Sequence, residues 1–308
     1  MTSVQHVTTH TAEADCRNDN IKIYIDGNIV SRDKAVVSVY DSGFLLGDGI
    51  WEGLRLFDGN ILFFDDHLDR LFEASLYTKI DIGLDRPSLK QAVWDTLMAN
   101  NMTTDVHIRL MVTRGRKSKP FQHPQLSIFG STVVIIAEHS KPDMSGSFQG
   151  VRLHTVPHHR GLPLTQDPKL NSHSKLNCII ALNHAIQAGA DEALMLDPNG
   201  FVNTTNACNF FIVKKGSIWT STGDYCMNGI TRQKVIEICK SESIPIFEKN
   251  YSLVDVYSAD EAFLTGTFGG QTSVSKIDGH IIGDGLVGPM LLRIRKLYKA
   301  LLIAGLEH

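Results

Sequence analysis

The sequence predicts an α/β protein with two domains. Strand-like segments of alternating apolar and polar residues recur along the chain, between segments with the apolar spacing of helices. The stretch HSKPDMSGSFQG has the proline, glycine and serine content of a linker. The chain has 308 residues, 43% hydrophobic and 20% charged, which is long enough for one large domain or two smaller ones. We predict an N-terminal arm at residues 1–20, a small α/β domain at 21–140, a linker at 141–150 and a larger α/β domain at 151–308.

Composition excludes several classes of protein. The net charge of -3 gives no electrostatic basis for binding nucleic acid or an anionic membrane. No apolar run reaches the roughly 18 residues of a membrane span, and the polar first twenty residues lack the apolar core of a secretory signal. The five cysteines are scattered and no HExxH motif occurs, so we expect no metal site and a reducing, cytoplasmic environment.

The first domain starts with the hairpin signal IKIYIDGNIV, and Ala35–Tyr40 is expected to continue that sheet. Asp65 or Asp66 can cap the next helix, HLDRLFEASLYTKI. The other predicted elements are a helix at Ser88–Asn100 and strands at Val106–Thr113 and Ser131–Glu138. The apolar stripe of the first helix is expected to be Leu68, Leu71, Phe72 and Leu76.

Two arginines in this domain are candidate anion ligands. Arg70 lies off the helical stripe, where an arginine is solvated unless an anion is near. Arg109 lies on the second face of the strand Val106–Thr113, so it could bind a carboxylate or lie on an exposed sheet face.

The second domain begins with the strand Val151–Val156 and then brings two lysines, Lys169 and Lys175, to the start of a helix. Ser174 can cap that helix and Gly189 can end it. A strand at Glu192–Leu196 and a turn lead into Phe201–Val213, which small polar residues interrupt. Such a strand suits a pocket wall, and a solvated edge is the alternative.

Two further segments could bind phosphate if they converge. Gly229, Ile230 and Thr231 open a helix, whose first N–H groups and dipole favour anions. The strand Glu261–Thr267 ends in the glycine-rich stretch GTFGGQTSV, which we expect to form a loop. A last helix is predicted at Val287–Ile303.

A lysine at a helix–sheet junction, two phosphate-binding segments and a helical arginine are the groups that pyridoxal 5'-phosphate requires. The lysine would form a Schiff base with the cofactor and then move the α-proton of the substrate.

The order of YIDGNIV, VYDSGFLLGDGIWEGLR, HLDRL, GADEALMLDPNGFV, NFFIV, GITR and TGTFGG resembles the fold-type IV pyridoxal phosphate enzymes, which include branched-chain and D-amino acid aminotransferases and aminodeoxychorismate lyase. The resemblance covers residues 21–301. It implies a two-domain α/β fold, a homodimer and a cofactor held between the domains.

The resemblance also implies roles for individual residues. The phosphate ligands would be Arg70, Gly229, Ile230, Thr231 and Thr267. The Schiff-base lysine would be Lys175, which directly precedes the helix, or Lys169, which fits the family's spacing with a one-residue insertion. We favour Lys175 and keep Lys169 as the alternative.

Five residues, which make three separate departures, differ from the family. Thr204 stands where relatives place the glutamate that pairs with the cofactor's ring nitrogen, and a neutral hydroxyl would hold that nitrogen less firmly protonated. Phe44 and Leu46 replace tyrosines of the first loop. Lys119 and Phe121 stand where the D-amino acid enzymes bind the substrate carboxylate.

Three functions are compatible with these residues. The first is transfer of an amino group between a small, largely apolar amino acid and a 2-oxo acid, with Phe44 and Leu46 near the side chain and Arg109 or Lys119 at the carboxylate. The second is an aminodeoxychorismate lyase-type or D-amino acid-specific reaction, and the third is a non-catalytic role of the same fold. Thr204 motivates the lyase and the non-catalytic alternatives.

Overall fold

The structure is a computed structural model that describes residues 8–9, 14–141 and 150–305. Most of the predicted arm and nearly all of the predicted linker lie outside these residues. Contacts divide the chain into two units. We call the described residues within 12–141 and 170–175 the N-terminal unit, and the described residues within 1–11, 142–169 and 176–308 the C-terminal unit.

The N-terminal unit is built on one antiparallel sheet with strand order β2-β1-β6-β5-β3-β4. Its strands are β1 (Lys22–Ile25), β2 (Asn28–Ser31), β3 (Gly49–Phe57), β4 (Asn60–Ile61), β5 (Val106–Thr113) and β6 (Thr132–His139). Its helices are α1 (Ser42–Leu46), α2 (Phe64–Thr78) and α3 (Arg86–Ala99). Short 3-10 helices cover Cys16–Asn20, Arg32–Lys34 and Pro124–Leu126.

The predicted hairpin at β1 and β2 is confirmed, because Asp26 and Gly27 form a two-residue turn with φ of 45° and 86°. Two positive φ angles match the right-handed twist of the paired strands. In β5 the buried residues alternate as expected, and they pack with α2 and α3 into one apolar core.

Three expectations for this unit are corrected. Ala35–Tyr40 forms no strand, and Val36 is 75% exposed. Leu76 is 82% exposed, because α2 turns His67, Leu68, Leu71 and Ala74 toward the core instead. The end of the predicted arm is ordered, since Asn18 exchanges two hydrogen bonds with the backbone of His139.

The C-terminal unit is built on a nine-stranded sheet with the order β12-β11-β10-β13-β14-β7-β8-β9 and with β15 beside β14. Its strands are β7 (Val151–Thr155), β8 (Glu192–Leu196), β9 (Val202–Thr205), β10 (Asn209–Lys214), β11 (Ser217–Thr220), β12 (Ile246–Glu248), β13 (Glu261–Gly266), β14 (Gly270–Ile277) and β15 (His280–Ile281). Its helices are α4 (Leu176–Gln187), α5 (Ile230–Ser241), α6 (Leu253–Tyr257) and α7 (Pro289–Ala304).

Pairing of β9 with β10 closes part of this sheet. Thr204 of β9 is in register with Asn209 of β10, while β9 also pairs with β8. The strands β10, β13, β14, β7, β8 and β9 therefore form a closed ring. The predicted glycine-rich loop is shorter than expected, because Thr267–Gly269 is a tight turn and the following residues form β14.

Candidate active site

A row of four buried polar side chains crosses the sheet of the C-terminal unit. Thr204 is in register with Asn209, Asn209 with Thr265, and Thr265 with Gln271. Directly opposed residues in antiparallel strands point to the same face, so these side chains lie side by side. They are only 4%, 6%, 2% and 4% exposed, and we call them the polar row.

The first turn of α5 lies against the polar row. The side-chain amide of Asn209 donates a hydrogen bond of 2.9 Å to the carbonyl of Met227. A Cβ atom on Gly229, the N-cap of α5, would lie 2.3 Å from Asn209 Oδ1, so only glycine fits there. Ile230 and the 3% exposed Thr231 begin the helix, where backbone N–H groups lack helical acceptors.

Thr267, the second predicted phosphate-binding position, follows Thr265 of the polar row by two residues and opens the turn to β14. Both segments expected to bind phosphate are therefore anchored beside Asn209. Asn209 belongs to the small polar run NTTNACN, which the sequence indicates as a pocket wall, but that pattern gave Asn209 no role of its own.

Thr204 presents a hydroxyl at the position where the resembled family places a glutamate. Its Oγ1 donates a 2.7 Å hydrogen bond to the carbonyl of Cys208. The buried carboxylate of Glu192 does not replace it. Glu192 accepts hydrogen bonds from Thr9 and from Oγ1 of Thr205, whose side chain points to the opposite face from Thr204.

Lys175 lies in the N-terminal unit, in a segment that runs along β3. The N–H of Trp51 donates to the carbonyl of Asn171 at 2.9 Å, and His173 N–H donates to Gly49 O at 2.9 Å. These bonds hold Lys175 directly ahead of α4, where its half-buried side chain lies 3.1 Å from Asn171 Oδ1 and 5.6 Å from the Trp51 ring centre.

Lys169 lies in a different setting. Its side chain is exposed, and its backbone N–H donates to Asp167 Oδ1 at 2.9 Å. Lys175 is therefore partly buried beside Asn171 and Trp51, whereas the side chain of Lys169 is exposed.

Trp51 also contacts Arg109. The Arg109 guanidinium lies 4.0 Å from the Trp51 ring centre, and its Nε is buried with no hydrogen-bond partner among the described residues. Burial lowers the pKa of Arg109 below its ordinary value. A carboxylate would supply the acceptor that Nε lacks.

Arg70 is paired within the same unit. Its Nε and Nη2 donate to Glu52 at 2.8 and 2.6 Å, and Nδ1 of His67 lies 2.7 Å from the same carboxylate. Burial alone would raise the pKa of Glu52, but the charge and hydrogen bonds of Arg70 outweigh it and lower that pKa. Burial lowers the pKa of His67 despite its bond to Glu52, so His67 is neutral at pH 7 and donates from Nδ1.

The remaining predicted substrate residues are exposed. Phe44 and Leu46 on α1 are 69% and 37% exposed, and Lys119 is exposed in the loop after β5. Within the described ranges, no helix has the length and apolarity to cross a membrane, and no group of three or more acidic, histidine or cysteine residues has the geometry of a metal site.

Comparison with known proteins relates this arrangement to one family. A family model described as amino-transferase class IV matches residues 49–277. A branched-chain-amino-acid aminotransferase-like protein of Arabidopsis thaliana is 38% identical over 284 residues, which are 92% of this chain but 51% of that protein. The chain spans about half the length of the two curated Arabidopsis relatives that it matches.

Two other relatives are covered almost completely. A putative branched-chain-amino-acid aminotransferase of Methanocaldococcus jannaschii is 36% identical over 281 residues, covering 91% of this chain and 96% of that one. A solved branched-chain amino acid aminotransferase of T.th., complexed with N-(5'-phosphopyridoxyl)-L-glutamate, is 28% identical with a TM-score of 0.83, covering 91% and 93%. The two-sheet α/β fold and the sequence matches together show that this chain belongs to the class IV aminotransferase family.

Proposed function

We propose that the chain is a pyridoxal 5'-phosphate-dependent aminotransferase that moves an amino group between a small, largely apolar amino acid and a 2-oxo acid. The observation that carries this proposal is the position of Lys175, half-buried before α4 between Asn171 and Trp51. Family membership and the phosphopyridoxyl ligand of the related T.th. structure support it.

Residues of this chain would hold the cofactor in three ways. Lys175 would bind its carbonyl carbon covalently. The N–H groups at Gly229, Ile230 and Thr231, with the hydroxyl of Thr267, would bind its phosphate beside Asn209. Arg70, oriented by Glu52, would add a positive charge. The cofactor, when bound, supplies a ring that withdraws electrons from the substrate Cα.

The remaining residues would position the substrate. Arg109 is stacked on Trp51, and its buried Nε has no hydrogen-bond partner in the part of the chain that the structure describes. It is therefore the better-supported carboxylate ligand, since Lys119 lies exposed in a loop. Phe44 and Leu46 would contact an apolar side chain. Lys175 would take and return the proton at the substrate Cα. We also propose a homodimer, as the family resemblance implies.

The test compares Lys175→Ala with Lys169→Ala. Each variant is loaded with pyridoxal 5'-phosphate, dialysed and scanned for the visible absorbance of the lysine-bound cofactor. We expect Lys175→Ala to lose the band and Lys169→Ala to keep it. A band that survives in both variants would refute a Schiff base at either lysine.

A second measurement identifies the reaction. Adding leucine, valine or a D-amino acid without an acceptor should convert the bound cofactor to its amine form and release the matching 2-oxo acid. Release of a product without the amine form would instead indicate a lyase-type reaction. No spectral change with any donor would favour the non-catalytic alternative.

A further inference from the structure

Two members of the polar row each carry a buried polar atom that no described residue pairs with. Thr265 Oγ1 and Gln271 Nε2 lack a hydrogen-bond partner among the described residues, although the side chains are only 2% and 4% exposed. Unpaired buried polar atoms are costly, so each such atom in a folded protein requires an explanation.

The two atoms belong to directly opposed residues. Thr265 of β13 and Gln271 of β14 are in register, and the Cβ atoms of such pairs are about 5 Å apart. One small molecule can therefore contact both side chains. The amide nitrogen of Gln271 can only donate, and the Thr265 hydroxyl has one proton to donate. A shared ligand that accepts two hydrogen bonds would therefore satisfy both atoms.

The surroundings of this pair favour negative charge. Thr265 is in register with Asn209, whose Oδ1 lies against Gly229 at the start of α5. On the β14 side, Nε and Nη2 of Arg295 donate to the Gln271 carbonyl at 3.0 and 2.8 Å. Asn209, which lies against a helix N-terminus, thus neighbours Thr265, and a guanidinium group binds the backbone of Gln271.

We propose that Thr265 and Gln271 together bind one water molecule, which donates a hydrogen bond to the anion bound at the start of α5. A water oxygen that accepts from both side chains keeps both of its own protons for donation. The pair would thereby extend the phosphate site through the sheet, beyond the residues at the helix and the turn. This inference rests on the proposed function, because the anion is the phosphate of the cofactor.

The test uses a ligand pair that differs only in the phosphate. Binding of pyridoxal 5'-phosphate and of pyridoxal is measured by the visible band of the lysine-bound form, and inorganic phosphate is used as a competitor. We expect Thr265→Val to reduce the preference for the phosphorylated ligand roughly tenfold, because the water and its charge-assisted hydrogen bond to the phosphate would be lost. Gln271→Met should reduce that preference similarly. Thr265→Ser, which keeps the hydroxyl, should have the wild-type ratio of affinities for the two ligands.

The double variant separates a shared ligand from two independent effects. If one water serves both side chains, the second substitution removes nothing further. The double variant Thr265→Val with Gln271→Met should then prefer the phosphorylated ligand nearly as much as the more affected single variant does. Thr220→Val is the matched control, because Thr220 is fully buried in the same unit and its hydroxyl already donates to the Phe210 carbonyl. It should lower stability without changing the ligand ratio.

The outcomes are distinct. An unchanged ratio in both single variants, or fully additive losses in the double variant, would overturn the proposal. If Thr265→Val does not fold, Gln271→Met and Thr265→Ser still test whether the pair binds a water that contacts the anion. A wild-type protein that forms no lysine-dependent band with either ligand would refute the proposed function itself.

Discussion

Lys175 Nζ and Asn171 Oδ1 lie 3.1 Å apart in a segment that the backbone of β3 holds in place. The amide oxygen accepts a hydrogen bond from the ammonium group, and Asn171 is only 4% exposed. Asn171 therefore orients the lysine from a fixed position.

We expect Asn171→Ala to weaken binding of pyridoxal 5'-phosphate by about tenfold, the effect of losing one hydrogen bond to a charged group. Titration of the visible band measures the affinity. Asn177→Ala is the control, since Asn177 lies in the first turn of α4 but its side chain bonds the His159 carbonyl. Equal affinities for wild type and Asn171→Ala would show that Asn171 does not position the lysine.

Two cationic groups lie over the Trp51 ring. Arg109 Cζ is 4.0 Å and Lys175 Nζ is 5.6 Å from the ring centre. Trp51→Leu should raise the KM for the amino acid more than Trp51→Phe does, because phenylalanine keeps a smaller π face. The expected loss of binding free energy in Trp51→Leu is about 1–2 kcal/mol, which corresponds to a roughly tenfold rise in KM. Trp219→Phe, which alters a ring beside Lys249 in the other unit, should leave KM unchanged. A KM that is insensitive to Trp51 would refute this role.

The Glu52–His67 pair predicts how stability depends on pH. The pKa of His67 is lowered from 6.5 in the native protein, so below about pH 6.5 the unfolded chain binds a proton that the native chain does not. Stability must fall as the pH decreases through that region. A second loss follows below about pH 4.5, because the pKa of Glu52 is also lowered.

Replacing His67 by Gln should remove the first of these losses. The free energy of unfolding is measured with urea between pH 7.5 and 5. In His67→Gln it should change less steeply with pH than in wild type, by up to about 1.4 kcal/mol per pH unit, the value for one proton. His159→Gln, at an exposed side chain, is the control. Identical slopes in wild type and His67→Gln would contradict the assignment.

Gly229→Ala should weaken phosphate binding because the new Cβ would lie 2.3 Å from Asn209 Oδ1. Either Asn209 or the first turn of α5 must shift. We expect a loss of at least about tenfold in affinity for the phosphorylated cofactor, and partial recovery in the double variant with Asn209→Ala. Gly305→Ala, where the nearest atoms are 3.6 Å away, is the control. Wild-type affinity in Gly229→Ala would show that α5 does not contact the phosphate.

Local patterns predicted much of this structure. The bounds of β5 follow from alternation, and the start of α4 one residue after Lys175 follows from helix-start signals. The partners of the site residues could not be predicted in this way. Arg70 is bound by Glu52, which is 18 residues earlier, and only the packing of α2 on β3 brings them together. The same holds for Thr265, whose neighbours depend on the register of three separate strands.

The ring of six strands in the C-terminal unit has a consequence for association between copies of the chain. With β9 paired on both sides, the strands left at sheet edges in the described residues are β12 and β15 in this unit and β2 and β4 in the other. They have 3, 2, 4 and 2 residues. Because these edge strands are short, a strand of another copy could form only a few backbone hydrogen bonds with them. This protects the protein against edge-to-edge aggregation.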